Sequence, residues 1–181
     1  ANGMVFVGLS DGTIQAFNAE TLQSLWIYHD PLEGQLIFEF FVVLLIYTGF
    51  WRSEESPANF VCLSITDEDP ARTDEEIRLL VLDDASGYYR AGAYACEDYV
   101  LVGTDDGADG SKSMTGSLLM LDAKTGRLLD KWDGLCGDVR STICYDKATD
   151  AFCFTTKGGW FCSVKTGKTS DGWQLRTGSK W

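Results

Sequence analysis

Histidine is almost missing from this chain: His29 is the only one in 181 residues. A Ser-His-Asp or Cys-His arrangement must therefore be built on that one ring. It is followed by Asp30-Pro31 and flanked by Trp26 and Tyr28, which reads as the edge of a sheet and not as a base beside a nucleophile. Paired thiolates are missing too. Cys62, Cys96, Cys136, Cys144, Cys153 and Cys162 are never in CxxC spacing, so no zinc framework is offered. Four of the six lie in apolar strand patterns and read as small buried hydrophobes. Cys96 and Cys144, in matching strands of neighbouring repeats, are the first pair to test for a disulfide. There is no Walker loop and no dinucleotide fingerprint, and the glycines between Gly107 and Gly116 lack the strand-to-helix setting that either requires. The longest apolar stretch, LIFEFFVVLLI at residues 36–46, is too short for a bilayer span and carries Glu39; it reads as a buried strand pair or hairpin. Bases are scarce: 15 Lys and Arg against 27 Asp and Glu give a net charge of −12, which argues against a phosphate-backbone partner and for a solvated acidic surface. The opening Ala1-Asn2-Gly3-Met4 shows no secretory leader, so the chain is either cytoplasmic or begins after a removed segment.

What is present is a repeat. With 45% hydrophobic and 13% aromatic residues the chain is globular, and residues 1–181 are read as one domain. In VFVGLSDGTIQAFNAETLQSLW, alternating Val5 and Val7 lead to Gly8, Asp11-Gly12 makes a hairpin turn, and Ile14 to Phe17 return before the chain turns toward Trp26. Taking Gly8 as anchor, Gly49, Gly103 and Thr155 stand in the same place, at spacings of 41, 54 and 52 residues. These are blade-sized intervals. The expectation is an all-β β-propeller of four-stranded antiparallel blades, about four of them, at residues 1–34, 35–87, 88–134 and 135–181. In the first copy only the Asn2-Gly3 turn survives ahead of its strand, so the innermost strand is missing.

The second half of each copy repeats as well. Gly12 to Phe17 aligns with Gly116 to Leu121 and with Gly159 to Val164, and Asn59 to Leu63 takes that place in the second copy. Alternation directs Ile14, Ala16, Phe60, Cys62, Leu118 and Met120 to one face and leaves the other face apolar too, which suits sheets stacked on both sides. Insertions at 52–58 and 108–115 and an acidic linker at 66–76 place loops where propellers carry specificity. Running into the second insertion, Asp105, Asp106 and Asp109 are candidate metal ligands of a calcium-like loop. Gly107 and Gly116 depart from the calcium pattern, and a solvated Asp-Gly hairpin is the competing reading. Trp51, Tyr88, Tyr89 and Trp160 are candidate sugar- or peptide-binding aromatics, with core packing as the alternative.

Ala16-Phe17-Asn18-Ala19-Glu20-Thr21-Leu22, closing on Trp26, and Met120-Leu121-Asp122-Ala123-Lys124-Thr125-Gly126, with Trp132 following, resemble the tryptophan-docking repeat A-x-D-x-x-T-G-x-x-x-W of PQQ-like, quinoprotein-type β-propellers. Thr166-Gly167 and Trp173 are its remnant in the last copy. The resemblance implies that Trp26, Trp132 and Trp173 dock on a neighbouring blade. It also implies a propeller of seven or eight blades, of which this chain is a part, with apolar open ends prone to self-association. The alternative is a closed four-bladed disc in which residues 172–181 supply the missing inner strand. PQQ chemistry would need an adjacent-cysteine pair and a calcium held by acidic side chains; neither is found, so no catalytic residue and no cofactor are expected. The function implied is a non-catalytic binding or scaffold module, taking a protein or small ligand, on the outside of a bacterial cell. The alternative is a fragment of a PQQ-dependent dehydrogenase.

Overall fold

The computed structural model describes residues 2–34, 41–42, 45–52, 58–67, 71, 80–83, 87–88, 92–105, 115–176 and 178–181. All regular structure among them is β. The first sheet is β1 (Met4–Gly8), β2 (Thr13–Asn18) and β3 (Ser24–His29); the second is β4 (Phe41–Val42), β5 (Leu45–Gly49), β6 (Phe60–Ser64) and β7 (Leu80–Asp83). The third is β8 (Tyr94–Ala95), β9 (Tyr99–Gly103), β10 (Thr115–Asp122) and β11 (Leu128–Cys136). The fourth holds β12 (Cys144–Asp146), β13 (Ala151–Thr155), β14 (Phe161–Val164) and β17 (Ser179–Lys180), and between its last two strands the chain makes a separate hairpin, β15 (Thr166–Thr169) and β16 (Gly172–Leu175). Every sheet is an antiparallel meander, and the chain is a partial propeller of about four blades. No helix among the described residues is long and apolar enough to cross a membrane.

Register ties the copies together. Gly8 pairs with Ile14, Gly49 with Phe60, Gly103 with Leu118 and Thr155 with Phe161, so the four anchors occupy one place in the ladder. The glycine at that place is required by the next sheet: a Cβ on Gly49 would strike Tyr88, and one on Gly103 would strike Val139. Because side chains alternate along each strand, every sheet has a forward and a backward face, and the faces that meet between sheets are apolar. Ile14, Ala16, Trp26 and Tyr28 of the first sheet meet Ile46, Val61 and Leu63 of the second. Tyr47, Phe60 and Cys62 meet Val100, Val102, Leu119 and Leu121 of the third, and its Tyr99, Leu101, Leu118 and Met120 meet Phe152, Phe154, Cys162 and Val164 of the fourth. The core is these three seams.

Trp26 is fully buried in the first seam, its ring 5.8 Å from Phe6. Trp132 lies edge-on to Phe154 at 6.1 Å, and its ring leaves no room for a side chain on Gly178 of the fourth sheet. Each thus reaches the neighbouring sheet from an outer strand. Trp173 sits elsewhere, on the β15–β16 hairpin, 5.0 Å from Tyr99. The hairpin is pinned to the third sheet by Leu175 N donating to an Asp130 carboxylate oxygen (2.7 Å) and by the Tyr99–Thr166 hydroxyl pair (2.9 Å).

Two expectations are corrected here. Residues 172–181 do not complete the first sheet: part of them pairs with β15, and the end pairs with β14, where Phe161 and Trp181 exchange backbone hydrogen bonds of 3.1 and 3.0 Å. The backbone groups a closing strand would need are already used. All six cysteines are free, and Cys144 lies opposite Cys153 in the ladder and not beside Cys96. The apolar stretch 36–46 does form a hairpin where it is described, Phe41 and Val42 pairing with Tyr47 and Ile46, while 35–40 and 43–44 lie outside the described residues.

The turn into each outer strand shows the motif at work. Asn18 Oδ1 accepts from the amides of Glu20 and Thr21 at 2.9 Å each, and Asp122 Oδ1 does the same for Lys124 (3.0 Å) and Thr125 (2.8 Å). The residue that closes the turn is left-handed in both copies: Gly126 at φ 72° and Leu22 at φ 58°. Leu22 is 68% exposed and carries the strain without packing in return. Leu22→Gly should raise stability by about 1 kcal/mol; an unchanged or lower denaturant midpoint would contradict this. Trp26→Ala should cost about 3–5 kcal/mol, from the lost burial and the cavity it leaves, measured by urea unfolding; a loss under about 1 kcal/mol would refute the packing role.

Candidate functional site

An opening in the described part of the molecule lies in the second seam. Leu45 and Tyr47 of β5 form one wall; Ala95, Cys96 and Glu97, where β8 turns into β9, and Ala123 and Lys124, where β10 turns toward β11, form the other. The cavity is about 600 Å3. Its second wall is held rigid by short-range bonds: Cys96 N donates to Tyr99 O at 3.0 Å, the Cys96 thiol shares that carbonyl at 3.5 Å, and Ala123 N donates to Asp98 O at 3.2 Å, tying the two turns together. Ala95 and Ala123 are small and buried, which is what leaves space between the sheets.

The lining is mainly apolar, with one ionisable hydroxyl in its wall and charges at its mouth. Burial raises the Tyr47 hydroxyl well above its ordinary value, with Cys62 and Cys96 adding to the effect, so it stays protonated. Glu97 and Lys124 are exposed at the rim. Apolar walls with one charge of each sign at the mouth favour a large apolar group flanked by polar ones.

Of the candidate ligands of the calcium-like loop, Asp105 alone lies among the described residues. Asp105 is buried, its backbone bridged to Gly87 through a 2.9 Å hydrogen bond, and its carboxylate fills the space a Gly87 side chain would need. Asp106 and Asp109 lie outside the described residues. Among those described, no three His, Cys, Asp or Glu side chains converge as a metal site would require, and no step is derived through calcium or PQQ. His29 is exposed, with Nδ1 2.8 Å from the Thr13 hydroxyl. Of the candidate aromatics, Tyr88 is buried beside Phe60 at 5.2 Å, and Trp160 carries the Lys180 ammonium 4.1 Å above its ring. Trp51 is half-buried, and Tyr89 lies outside the described residues.

Sequence reasoning missed two buried aspartates, one just past β3 and the other just past β11, where the chain crosses to the next sheet. Asp30 accepts from Gly34 N and Asn59 Nδ2, both at 2.7 Å, and from the Tyr28 hydroxyl at 3.4 Å. Asp138 holds Arg140 through two nitrogens, at 2.8 and 2.6 Å; burial raises its carboxyl above the ordinary range against the pull of that guanidinium. The signal available was an Asp at the same step of the repeat in both copies. The cleft had no such signal, because its two walls come from residues far apart in sequence, Leu45 and Tyr47 on one side and Ala95 to Lys124 on the other, that only sheet stacking brings together.

No family model matches the chain, and no curated protein matches it in sequence. Solved structures do. BamB from Moraxella catarrhalis is similar at a TM-score of 0.56 and 15% identity, over 89% of this chain and 42% of that one. A quinohemoprotein alcohol dehydrogenase from Comamonas testosteroni is similar at 0.65 and 11%, over 98% and 33%. The β-propeller domain of Cps50 (Swd1) from Myceliophteria thermophila is similar at 0.59 and 9%, over 98% and 54%. The chain thus spans a third to about half the length of these proteins. At these identities the likeness shows the fold, a β-propeller, and the blade type read from the tryptophan repeats agrees with it at that level.

The Asp122 turn that builds the cleft wall is acid-sensitive. Burial alone would raise that carboxyl, but hydrogen bonds from the Thr125 hydroxyl and amide and the Lys124 amide, with Arg127 nearby, hold it below 3.8. A depressed carboxyl contributes stability above its unfolded value and loses it as the pH falls through the folded one. Asp122→Asn, which keeps the acceptor that Asn18 uses in the first sheet, should leave the neutral-pH fold unchanged and flatten the loss of stability below about pH 4. An unaltered acid limb of the stability curve would count against this.

Proposed function

Taking the partial β-propeller as premise, we propose that the chain is a non-catalytic binding module that holds an apolar side chain of a protein partner in the cleft between its second and third sheets. The observation that carries this is the lining itself: aliphatic and aromatic walls, small alanines in place of bulk, and Glu97 and Lys124 at the mouth. A peptide segment with one large apolar residue between an acidic and a basic neighbour matches it in shape and charge. The resemblance of the Trp26 and Trp132 repeats to those of surface propellers supports a partner outside a bacterial cell. The dehydrogenase-fragment reading has only the likeness of fold behind it.

Selection from a displayed library of random short peptides tests the proposal. Enriched peptides should share a large apolar residue beside charges, and Ala123→Phe, which fills the cleft from its second wall, should weaken them at least tenfold, about 1.4 kcal/mol. Peptides whose binding ignores Ala123→Phe, or a selection that enriches none, would sink the reading.

A further inference from the structure

One pair of cysteines is set face to face by the sheet itself. The inner hairpin of the fourth sheet, β12 and β13, is a ladder of three pairs in which Cys144 stands directly opposite Cys153, Tyr145 opposite Phe152 and Asp146 opposite Ala151. Among the described residues no other two cysteines face one another in a ladder: Cys62 pairs with Tyr47 and Leu80, Cys136 with Thr115, and Cys162 with Phe154 and Lys180. Residues directly opposite in an antiparallel pair have Cα atoms about 4.5–5.5 Å apart, inside the range of about 4.4–6.8 Å that a disulfide spans. The hairpin is tied on both sides of this pair. Beyond it, the Ser141 hydroxyl accepts from Thr155 N at 2.8 Å and donates to Thr155 O at 3.3 Å. Toward the turn, Asp146 Oδ1 accepts from Ala148 N at 3.1 Å, and the Tyr145 hydroxyl donates to Asp150 Oδ1 at 2.7 Å. With both ends tied the register does not slip, and the two cysteines stay opposite. What holds the Cys144 thiol is weak, a contact with Thr142 O at 3.8 Å, and one rotation about χ1 releases it. Across the next pair of strands Cys153 meets Ser163, a small residue that does not crowd its sulfur.

We infer that Cys144 and Cys153 are a site of covalent modification: a low-molecular-weight disulfide converts them into a cross-strand disulfide that staples β12 to β13. One cysteine thiolate attacks a sulfur of the small disulfide, which forms a mixed disulfide and releases one small thiolate. The second cysteine thiolate then attacks the protein sulfur of that mixed disulfide and releases the other. The two protein thiols lose two electrons between them, the small disulfide gains both, and the two protons pass to the small thiols released. The strand that gains a staple is short: β12 has three residues and stands at the edge of its sheet. It carries Tyr145, which packs 5.0 Å from Phe152 and 6.1 Å from Tyr94 of the third sheet, so the bond also holds an aromatic contact of the third seam. The pairing lies inside one hairpin and does not depend on what stands against either face of the sheet.

Incubation of the purified chain with oxidised glutathione, alkylation of the remaining thiols in urea and digestion with trypsin test this. Trypsin cuts after Arg140, Lys147 and Lys157, so the two cysteines fall on separate peptides, 141–147 and 148–157. The expected product is these two peptides joined, lighter than their sum by two hydrogens, and parted again by a reducing phosphine. The oxidised chain should melt about 5 °C above the reduced one, because the bond closes a short loop of the unfolded chain. Cys144→Ser and Cys153→Ser should each abolish both the join and the shift; were either to unfold, Cys144→Ala and Cys153→Ala repeat the comparison. Glutathione left on either cysteine with no join, or a join of either to a different cysteine, would overturn the inference. So would a join that leaves the melting temperature unchanged. The cleft variant Ala123→Phe touches neither strand and should form the same join, so this inference and the cleft reading fail separately.

Discussion

The structure depends on burial of apolar sheet faces against the next sheet: each of its three seams closes one apolar face on another. In β9 and β10 both sets of alternating side chains are buried, one against the second sheet and one against the fourth. A lone three- or four-stranded meander of this composition would expose one whole face, and stability in such arrays comes from nearest-neighbour terms. This explains the anchor glycines, which let Tyr88 and Val139 approach the strand of the preceding sheet, and the outer tryptophans, which extend the seam to the rim. At the anchor of the fourth sheet Thr155 stands in place of glycine, and that position is exposed.

Polar groups serve the seams at the crossings. A chain leaving an outer strand for the next sheet must satisfy its backbone groups away from any ladder. Asp30 does this by binding Gly34 N and by reaching Asn59 in the second sheet, and Asp30 N itself donates to Gly12 O at 3.1 Å. At the third crossing, Lys157 N donates to Asp138 O (2.8 Å) and the Thr156 hydroxyl to Cys136 O (2.6 Å). These bonds fix one sheet's end against the next sheet's turn. Their cost is borne by buried carboxylates, each paired with charge-assisted or amide donors.

Legibility followed the range of the interactions. The hairpin turn at Asp11-Gly12 and the turns at Asn18 and Asp122 are set by residues within a few positions of one another, and the sequence shows them directly, as it does the anchor spacing. The fourth copy misled for a physical reason. Thr166-Gly167 has the form of the turn into an outer strand, but Asp130 and Tyr99 of the third sheet capture that segment as a separate hairpin, and the outer strand falls to Ser179–Lys180. Long-range capture leaves no local mark. The cleft was hidden for the same reason, although Ala123, Lys124 and Cys96 were each noticed for other features.

Where the cleft opens follows from where indoles are placed. The first and third seams have Trp26 and Trp132 on their outer strands, but between Trp51 and Trp132 the sequence has no tryptophan, so the outer strand β7 of the second sheet carries none. The second seam is then filled by Tyr47 and Phe60 of the second sheet, with Tyr88, Ala93, Ala95 and Ala123 opposite. Three alanines on that side leave less bulk than a docked indole with its neighbours. Interiors pack at near-crystalline density, so a seam built this way either collapses or keeps a gap. Collapse is resisted here because the two turns of the third sheet are braced against each other through Ala123 N and Asp98 O, and because the sheets on either side already hold their own seams. The gap thus persists at this junction, where β7 carries no docking tryptophan, and its walls stay apolar.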